Sequence, residues 1–249
     1  MATPRPGNKK HLPMGMEILH EDRDILVIAK AAGLLTIATD GERERTAHAA
    51  LLDYVRKGNP KSPHRVFIVH RLDRDTSGLL VFARSEEAKA RLQEAWPEVE
   101  KTYLAVVEGC PPKEEDTISS YLAENSIGKV YVTRKAEEGK LSHTRYRIRE
   151  RRNDRTVLEI SLLTGRKNQI RVHLAEIGCP IVGDAKYGSA DRKSKRLALH
   201  SWKLAIPHPW DGRRMEFETP PPASFLALRQ KPPADAAPRP KKPEEKRPR

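Results

Sequence analysis

The segment His70-Arg71-Leu72-Asp73-Arg74-Asp75-Thr76-Ser77-Gly78 lies between two apolar runs, Val66 to Val69 and Leu79 to Phe82. Both runs have the length and residue types of buried strands. The fold must therefore carry a dense cluster of charge between two segments that seek the core. Carboxylates and arginines in such a place are costly to desolvate. Two arrangements meet that cost. The segment is either a solvated hairpin loop with local ion pairs, or the seat of a catalytic carboxylate kept ionised by a nearby guanidinium. The segment alone does not separate them.

A chain of 249 residues accommodates one large domain or two small ones and can bury a sizeable core. Its 47 Lys and Arg against 34 Asp and Glu give a formal net charge of +13. Such an excess points to a polyanionic partner, nucleic acid foremost. The two cysteines, Cys110 and Cys179, are far apart in sequence. They argue against a disulfide framework and fit a reducing compartment. No apolar run approaches a membrane span. The basic stretch Met1 to Lys10 leads into no signal-peptide core. The expected location is the cytoplasm, with no membrane contact and a monomer as the default state.

The ends differ from the middle. Residues 1–13 hold three prolines and scattered basic residues, which predicts a flexible basic arm. Residues 231–249 are rich in Pro, Lys and Arg and cannot bury enough surface to fold. This tail either adds non-specific RNA affinity or serves only solubility. Residues 14–230 read as one domain.

Within that domain, Ile25 to Ala29 predicts a strand. Thr46 to Tyr54 predicts a short amphipathic helix, with Ala47, Ala50, Leu51 and Tyr54 at helical spacing. Glu86 to Trp96 predicts a helix capped by Ser85 and stopped by Pro97. Tyr103 to Val107 predicts a strand. Tyr146 to Ile148 and Val157 to Leu163 predict strands joined through a turn at Asn153-Asp154. Lys167 to Ile177 predicts a helix ended by Gly178. Helices mixed with hairpin-like strand pairs favour an α+β fold over a regular βαβ wind.

Three further segments carry potential chemistry. In Lys101-Thr102-Tyr103 a tyrosine stands at the start of an apolar strand, as core packing or as a site residue. From Thr164 to His173 a strand ends at Thr164-Gly165 and a helix follows, with Arg166 and Arg171 beside it. That suits anion binding, and equally a basic surface face. Gly183-Asp184-Ala185-Lys186-Tyr187-Gly188 is a polar loop between glycines.

Together these segments resemble the RluA family of RNA pseudouridine synthases. His70 to Gly78 matches its His-Arg-Leu-Asp-x-x-Thr-Ser/Thr-Gly motif, and Lys101 to Tyr103 its Lys-x-Tyr strand. Thr164 to His173 matches Thr-Gly-Arg-x-His/Asn-Gln-Ile/Leu-Arg-x-His, and Gly183 to Gly188 matches Gly-Asp-x-x-Tyr-Gly. Leu199-His200 and His208-Pro209 match its later pattern. The similarity runs from Met16 to Phe225 with order and spacing kept. Two positions depart from the pattern. Lys30-Ala31-Ala32-Gly33 stands for Lys-Pro-x-Gly, and Asn168 for a frequent histidine. Asparagine still donates and accepts hydrogen bonds. The sequence before Glu17 leaves no room for the small S4-type RNA-binding domain of some relatives. RNA recognition is then expected from the catalytic domain and its flexible ends.

The resemblance implies a pseudouridine synthase fold, with a mixed, largely antiparallel sheet, flanking helices and a central cleft. It implies isomerisation of uridines in ribosomal or transfer RNA. Uracil leaves C1′ of its ribose, turns, and rejoins through carbon. No redox step or transferred group is involved, so no metal or organic cofactor is expected. The sequence agrees, with no zinc spacing, P-loop or dinucleotide fingerprint. By its motif position Asp73 is the catalytic carboxylate, attacking C1′ or C6 or assisting glycal formation. Arg171 matches the arginine that pairs with it, and Tyr103 the tyrosine that packs on the base. Base flipping is expected. Arg71, Arg74, Arg166, Asn168, Gln169 and Ile170 are the candidate substrate-binding residues, with Arg71 or Arg74 on phosphate or in the space of the flipped base. Ile170 or Leu162 is a candidate apolar wall.

Two other readings stand beside this one. Asp73 and Asp75 with a histidine could hold Mg²⁺ in a nuclease, although the flanking arginines would compete with the cation. The charge alone would also suit a non-catalytic RNA-binding protein.

Overall fold

The structure, a computed structural model, describes residues 10–38, 45–191, 194 and 196–227. The strands are β1 (Lys10–Leu12), β2 (Met16–Glu21), β3 (Ile25–Lys30), β4 (Phe67–Ile68), β5 (Ser77–Ala83), β6 (Glu100–Glu108), β7 (Glu115–Glu124), β8 (Val130–Thr133), β9 (Lys140–Arg152), β10 (Arg155–Leu162), β11 (Leu199–Pro207) and β12 (Arg214–Glu218). The helices are α1 (Ala47–Arg56), α2 (Glu86–Glu94), α3 (Gln169–Glu176) and α4 (Ala223–Leu226). The fold is α+β.

One mixed sheet runs β1-β2-β3-β5-β11-β6-β10-β9-β7-β8, with β4 joined to β5 and β12 to β11. Neighbouring strands are antiparallel except β5 and β11. β5 is buried along its whole length. Its alternation sends Leu80 and Phe82 into one core, with Leu26, Ile28, Leu51 and Tyr103. Leu79, Val81 and Ala83 enter a second core with Ile25, Val27 and Leu92. Successive strand side chains point to opposite faces, so one apolar run serves both layers. α1 and α3 cover the first face through Leu51 and Leu174, and α2 covers the second through Ala88 and Leu92.

The local signals act as expected at α1 and α2. The Thr46 hydroxyl accepts from the Ala49 amide, and Ser85 from Ala88, so both helices have a side-chain N-cap. The Asn153 turn joins β9 to β10 with Asn153 at φ 49°, a conformation asparagine tolerates.

Four differences have local causes. Only Phe67–Ile68 of the first apolar run pairs as strand, because the chain leaves the sheet to build the loop that follows. The helix expected from Lys167 starts at Gln169, since Asn168 takes a left-handed φ of 53°. Residues 10–12, expected in a loose arm, pair with β2 through Lys10↔Ile18 and Leu12↔Met16. Residues 96–98 form a separate 3₁₀ turn rather than the end of α2. The rest of the expected arm and the tail at 231–249 lie outside the described residues. β7 and β8, not among the expected strands, pack Leu122 and Val130 against Val172 of α3, with Tyr187 alongside. Among the described residues no helix is long and apolar enough to cross a membrane.

Candidate active site

The loop between β4 and β5 is held by backbone and side-chain bonds that resolve its charge problem. His70 Nε2 accepts the Val81 amide at 3.0 Å, and its ring lies 4.4 Å from that of Trp96. Burial pushes the imidazole down to about 3, with the Lys101 charge adding to the effect. His70 is thus neutral and structural. Leu72 is buried, and Thr36 brackets it, donating to its carbonyl at 2.9 Å and accepting from its amide at 3.2 Å. The Thr76 amide closes a turn on the Asp73 carbonyl. The Arg74 carbonyl accepts from Lys30 Nζ and from the Gly33 amide, each at 2.9 Å.

Lys30 is 2% exposed at the end of β3 and also donates to the carbonyls of Ala31 and Leu34. Burial drives its amine down to about 7, against the pull of Asp75 and Asp73. Its place in the Lys30-Ala31-Ala32-Gly33 stretch implies no role at the site. A lysine closing an otherwise apolar strand was the available signal.

Gly78 ends the loop at φ +113°, where a Cβ would lie 2.1 Å from the Ser201 carbonyl oxygen. Only glycine permits this approach of β5 to β11. Beside it the Ser77 hydroxyl meets His200 Nδ1 at 2.8 Å and accepts from Arg196 at 2.9 Å.

These restraints aim Asp73 into an open cleft of about 450 Å³, lined among others by Arg71, Tyr103, Leu162, Arg166, Ile170 and Arg171. Asp73 Oδ2 accepts from Asn168 Nδ2 at 2.6 Å and from Arg171 Nη1 at 3.4 Å. Arg171 gives its main contacts elsewhere. Its Nε and Nη2 donate to the two oxygens of Asp184 at 2.7 and 2.8 Å. The Asp184 side chain is fully buried. Burial works against the Arg171 charge, but the hydrogen bonds and charge of Asp184 and the charge of Asp73 outweigh it and hold its pKa above the ordinary value. The ion pair expected between Asp73 and Arg171 is therefore one corner of a triad. Asp184 was in a segment singled out by sequence, without an assigned role.

Asn168 joins a second set of contacts. Its Oδ1 accepts from the Tyr187 hydroxyl at 3.1 Å and from Lys186 Nζ at 3.3 Å. Tyr187 in turn accepts the Val130 amide at 3.2 Å. Its left-handed backbone turns Asn168 away from capping α3 and toward Asp73.

Tyr103 comes from β6 and is 7% exposed. Burial, with Asp73 adding to it and Ser201 opposing, pushes its hydroxyl up to about 12. Leu162 and Ile170 both line the cleft, as expected of an apolar wall. Arg71 and Arg166 line it with exposed side chains. Arg74 is not among the lining residues, and its carbonyl accepts from Lys30 Nζ within the loop. Gln169 lines the cleft, but its amide is engaged with the protein. Oε1 accepts from Thr164 and from the Arg166 amide, and Nε2 donates to the His143 carbonyl and the Thr144 hydroxyl. Of the two readings left open for the start of α3, an anion site or a basic surface face, neither describes Arg171, which is committed to carboxylates, and Gln169 takes the Arg166 N–H.

Among the described residues Asp73 and Asp75 belong to no group of three or more side chains close enough to share a metal ion. Among the described residues the group close enough for that is Asp22, Asp24 and His208, none of which lines the cleft. Oδ2 of Asp73 faces a guanidinium and an amide donor, and the positive charge of Arg171 beside it opposes a cation there.

A family model described as RNA pseudouridylate synthase matches residues 24–176. The ribosomal large subunit pseudouridine synthase D of Nitrosomonas europaea is 38% identical over 230 residues, covering 86% of this chain and 64% of that protein. The protein of the same name from Pseudomonas aeruginosa is 37% identical over 233 residues, covering 86% and 70%. The chain therefore spans roughly two thirds of the length of these relatives. The solved structure of human RNA pseudouridylate synthase domain containing 1 superposes with a TM-score of 0.66 at 27% identity, covering 89% of this chain and 87% of that one.

Proposed function

The chain belongs to the RNA pseudouridylate synthase family, and on that premise we propose that it isomerises specific uridines of a structured RNA to pseudouridine. The observation that carries this is the convergence of Asp73, Tyr103 and Arg171, from three distant parts of the chain, on one cleft. In this reading Asp73 is the catalytic carboxylate, acting on the flipped uridine. Arg171, itself fixed by Asp184, keeps it charged and oriented. Tyr103 packs on the uracil, and its hydroxyl, neutral at working pH, is available for proton exchange. Leu162 and Ile170 form the apolar wall. Arg71 and Arg166 contact the RNA at the cleft mouth, and Arg74 meets phosphate outside it.

The names of the bacterial relatives favour large-subunit ribosomal RNA over transfer RNA as the substrate. The formal charge of +13 suits that partner through phosphate contacts, so affinity falls steeply with salt. The catalytic domain, expected over 14–230, takes in β1 (Lys10–Leu12) as well, and works as a cytoplasmic monomer without a cofactor.

The test is pseudouridine mapping of total RNA from cells with and without the gene. At least one uridine should lose its modification in the deletion. An unchanged map in every RNA would sink the proposal. In vitro, Asp73→Asn should abolish isomerisation and leave RNA binding largely intact. Activity should survive excess EDTA, whereas a nuclease built on Asp73 and Asp75 would lose it.

A further inference from the structure

The two oxygens of Asp73 have unlike surroundings. Oδ2 takes both the Asn168 amide and the Arg171 guanidinium. Among the described residues Oδ1 receives no hydrogen bond, and the side chain is 22% exposed at the cleft. An ionised carboxylate offers about four acceptor sites. Those on Oδ2 are directed at the protein, and those on Oδ1 are open to whatever occupies the cleft.

What keeps this arrangement is the direction of the Asn168 amide. An asparagine has a donor end and an acceptor end, and they are nearly isosteric. A half-turn would set Oδ1 of Asn168 against Asp73, acceptor facing acceptor at hydrogen-bond distance. The groups on the other side forbid that turn. Tyr187 accepts the Val130 N–H of β8, so its own proton is free to go to Asn168 Oδ1. The Lys186 ammonium, a donor only, faces the same oxygen at 3.3 Å. A chain of one sense results, from a backbone N–H through Tyr187 and Asn168 to Asp73. Such chains polarise each bond along their length. β8 is held against α3 by Val130, Leu122 and Val172, so the far end of the chain is anchored in packed structure.

We infer that Oδ1 of Asp73 is the oxygen that meets the ribose or uracil, and that Tyr187 and Lys186 are positioning residues that present it by fixing the Asn168 amide. The first half rests on the synthase reading given above, and the second stands on the geometry alone. Neither Tyr187 nor Lys186 lines the cleft. An effect of either on the chemistry within the cleft therefore passes through Asn168.

The experiment has two independent readouts on the full chain. The first is the ¹⁵N–¹H spectrum of the Asn168 side-chain amide. A proton held against a carboxylate at 2.6 Å should resonate downfield of a solvated amide. That signal should disappear in Asp73→Asn and lose its shift in Tyr187→Phe. The second is turnover on a transcribed, unmodified large-subunit ribosomal RNA. Tyr187→Phe and Asn168→Ala should lower kcat by about tenfold or more, the scale of one hydrogen bond, with KM little changed. Asn168→His, which can still donate to Asp73, should recover part of the loss. In Asn168→Asp two carboxylates would face each other, so the acid limb of the pH profile should move upward. If Tyr187→Phe leaves both the amide signal and kcat unaltered, the positioning role is wrong. If KM rises while kcat stays at the wild-type value, Tyr187 acts on RNA binding and the inference is likewise wrong. A wild-type protein that forms no pseudouridine overturns the synthase reading and the role of Oδ1, while the amide spectrum still decides the positioning.

Discussion

Arg171 donates two guanidinium nitrogens to Asp184, at 2.7 and 2.8 Å, and a third to Asp73 at 3.4 Å. The better geometry belongs to the fully buried partner. Asp184 also accepts the backbone amides of Lys186 and Tyr187, so it ties the guanidinium to the loop that positions Asn168.

Removing Asp184 should therefore cost more stability than removing the proposed catalytic group. Asp184→Ala leaves a buried guanidinium without its main partner, a loss of about 3–5 kcal/mol. Asp73→Asn removes one long ion pair and keeps a polar side chain, so its loss should be about 1 kcal/mol. Urea denaturation of the two variants gives the comparison. Equal losses would show that Arg171 depends on both carboxylates alike.

Tyr103 should not ionise in the working range. Its hydroxyl is pushed up to about 12, by burial first and then by the Asp73 charge. Activity should show no basic limb from this group below about pH 11. Tyr103→Phe keeps the ring against the base and removes the proton. We expect KM within a few-fold of wild type and kcat lower by about 100-fold, the low end for proton-transfer catalysis. Steady-state kinetics against pH separate the two contributions.

Stability should fall in acid partly through His70. Its pKa lies at about 3 in the folded chain, below the ordinary 6.5. Between those values the unfolded chain binds more protons, so stability rises with pH across the window and is lost as pH falls through it. One such group contributes a slope of up to about 1.4 kcal/mol per pH unit. His173, pushed down to about 4 chiefly by burial, adds to it in the same direction. Chemical denaturation at a series of pH values should give His70→Gln a shallower slope than wild type between pH 4 and 6. A parallel pair of curves would rule out the role assigned to His70.

Gly78→Ala should fail to form the native sheet. The added Cβ would lie 2.1 Å from the Ser201 carbonyl at φ +113°, in the contact between β5 and β11. We expect a loss above about 3 kcal/mol or an insoluble protein. Gly165→Ala is the control, since a Cβ there meets nothing within 4 Å. It should remain within about 1 kcal/mol of wild type. Soluble yield and denaturation midpoints test both.

Part of this molecule is written locally. Leu79 to Phe82 alternate between two cores because strand side chains alternate, and Thr46 and Ser85 cap their helices because a hydroxyl there meets an open amide. Asp73, Tyr103 and Arg171 were legible through motifs whose order and spacing survive in the chain. Other features have no local signature. Asn168 reads as the first turn of a helix until its left-handed backbone is seen. Asp184 and Tyr187 in a polar loop look the same whether solvated or buried. Lys30 is marked locally only by ending an apolar strand, which does not show that it is buried. β7 and β8 escape the hydrophobic pattern because only one of their faces is covered.

Residue order and pattern alone were thus enough for the fold class, the central strands and the proposed catalytic set. The tertiary structure decided how that set is held. It gave Arg171 chiefly to Asp184, gave Asp73 its closest donor in Asn168, and set both donors on the same carboxylate oxygen. The reason is physical. Hydropathy and capping act between residues a few positions apart. A buried polar network takes its partners from wherever the chain returns, as in the contact between Asp73 and Arg171 across 98 positions.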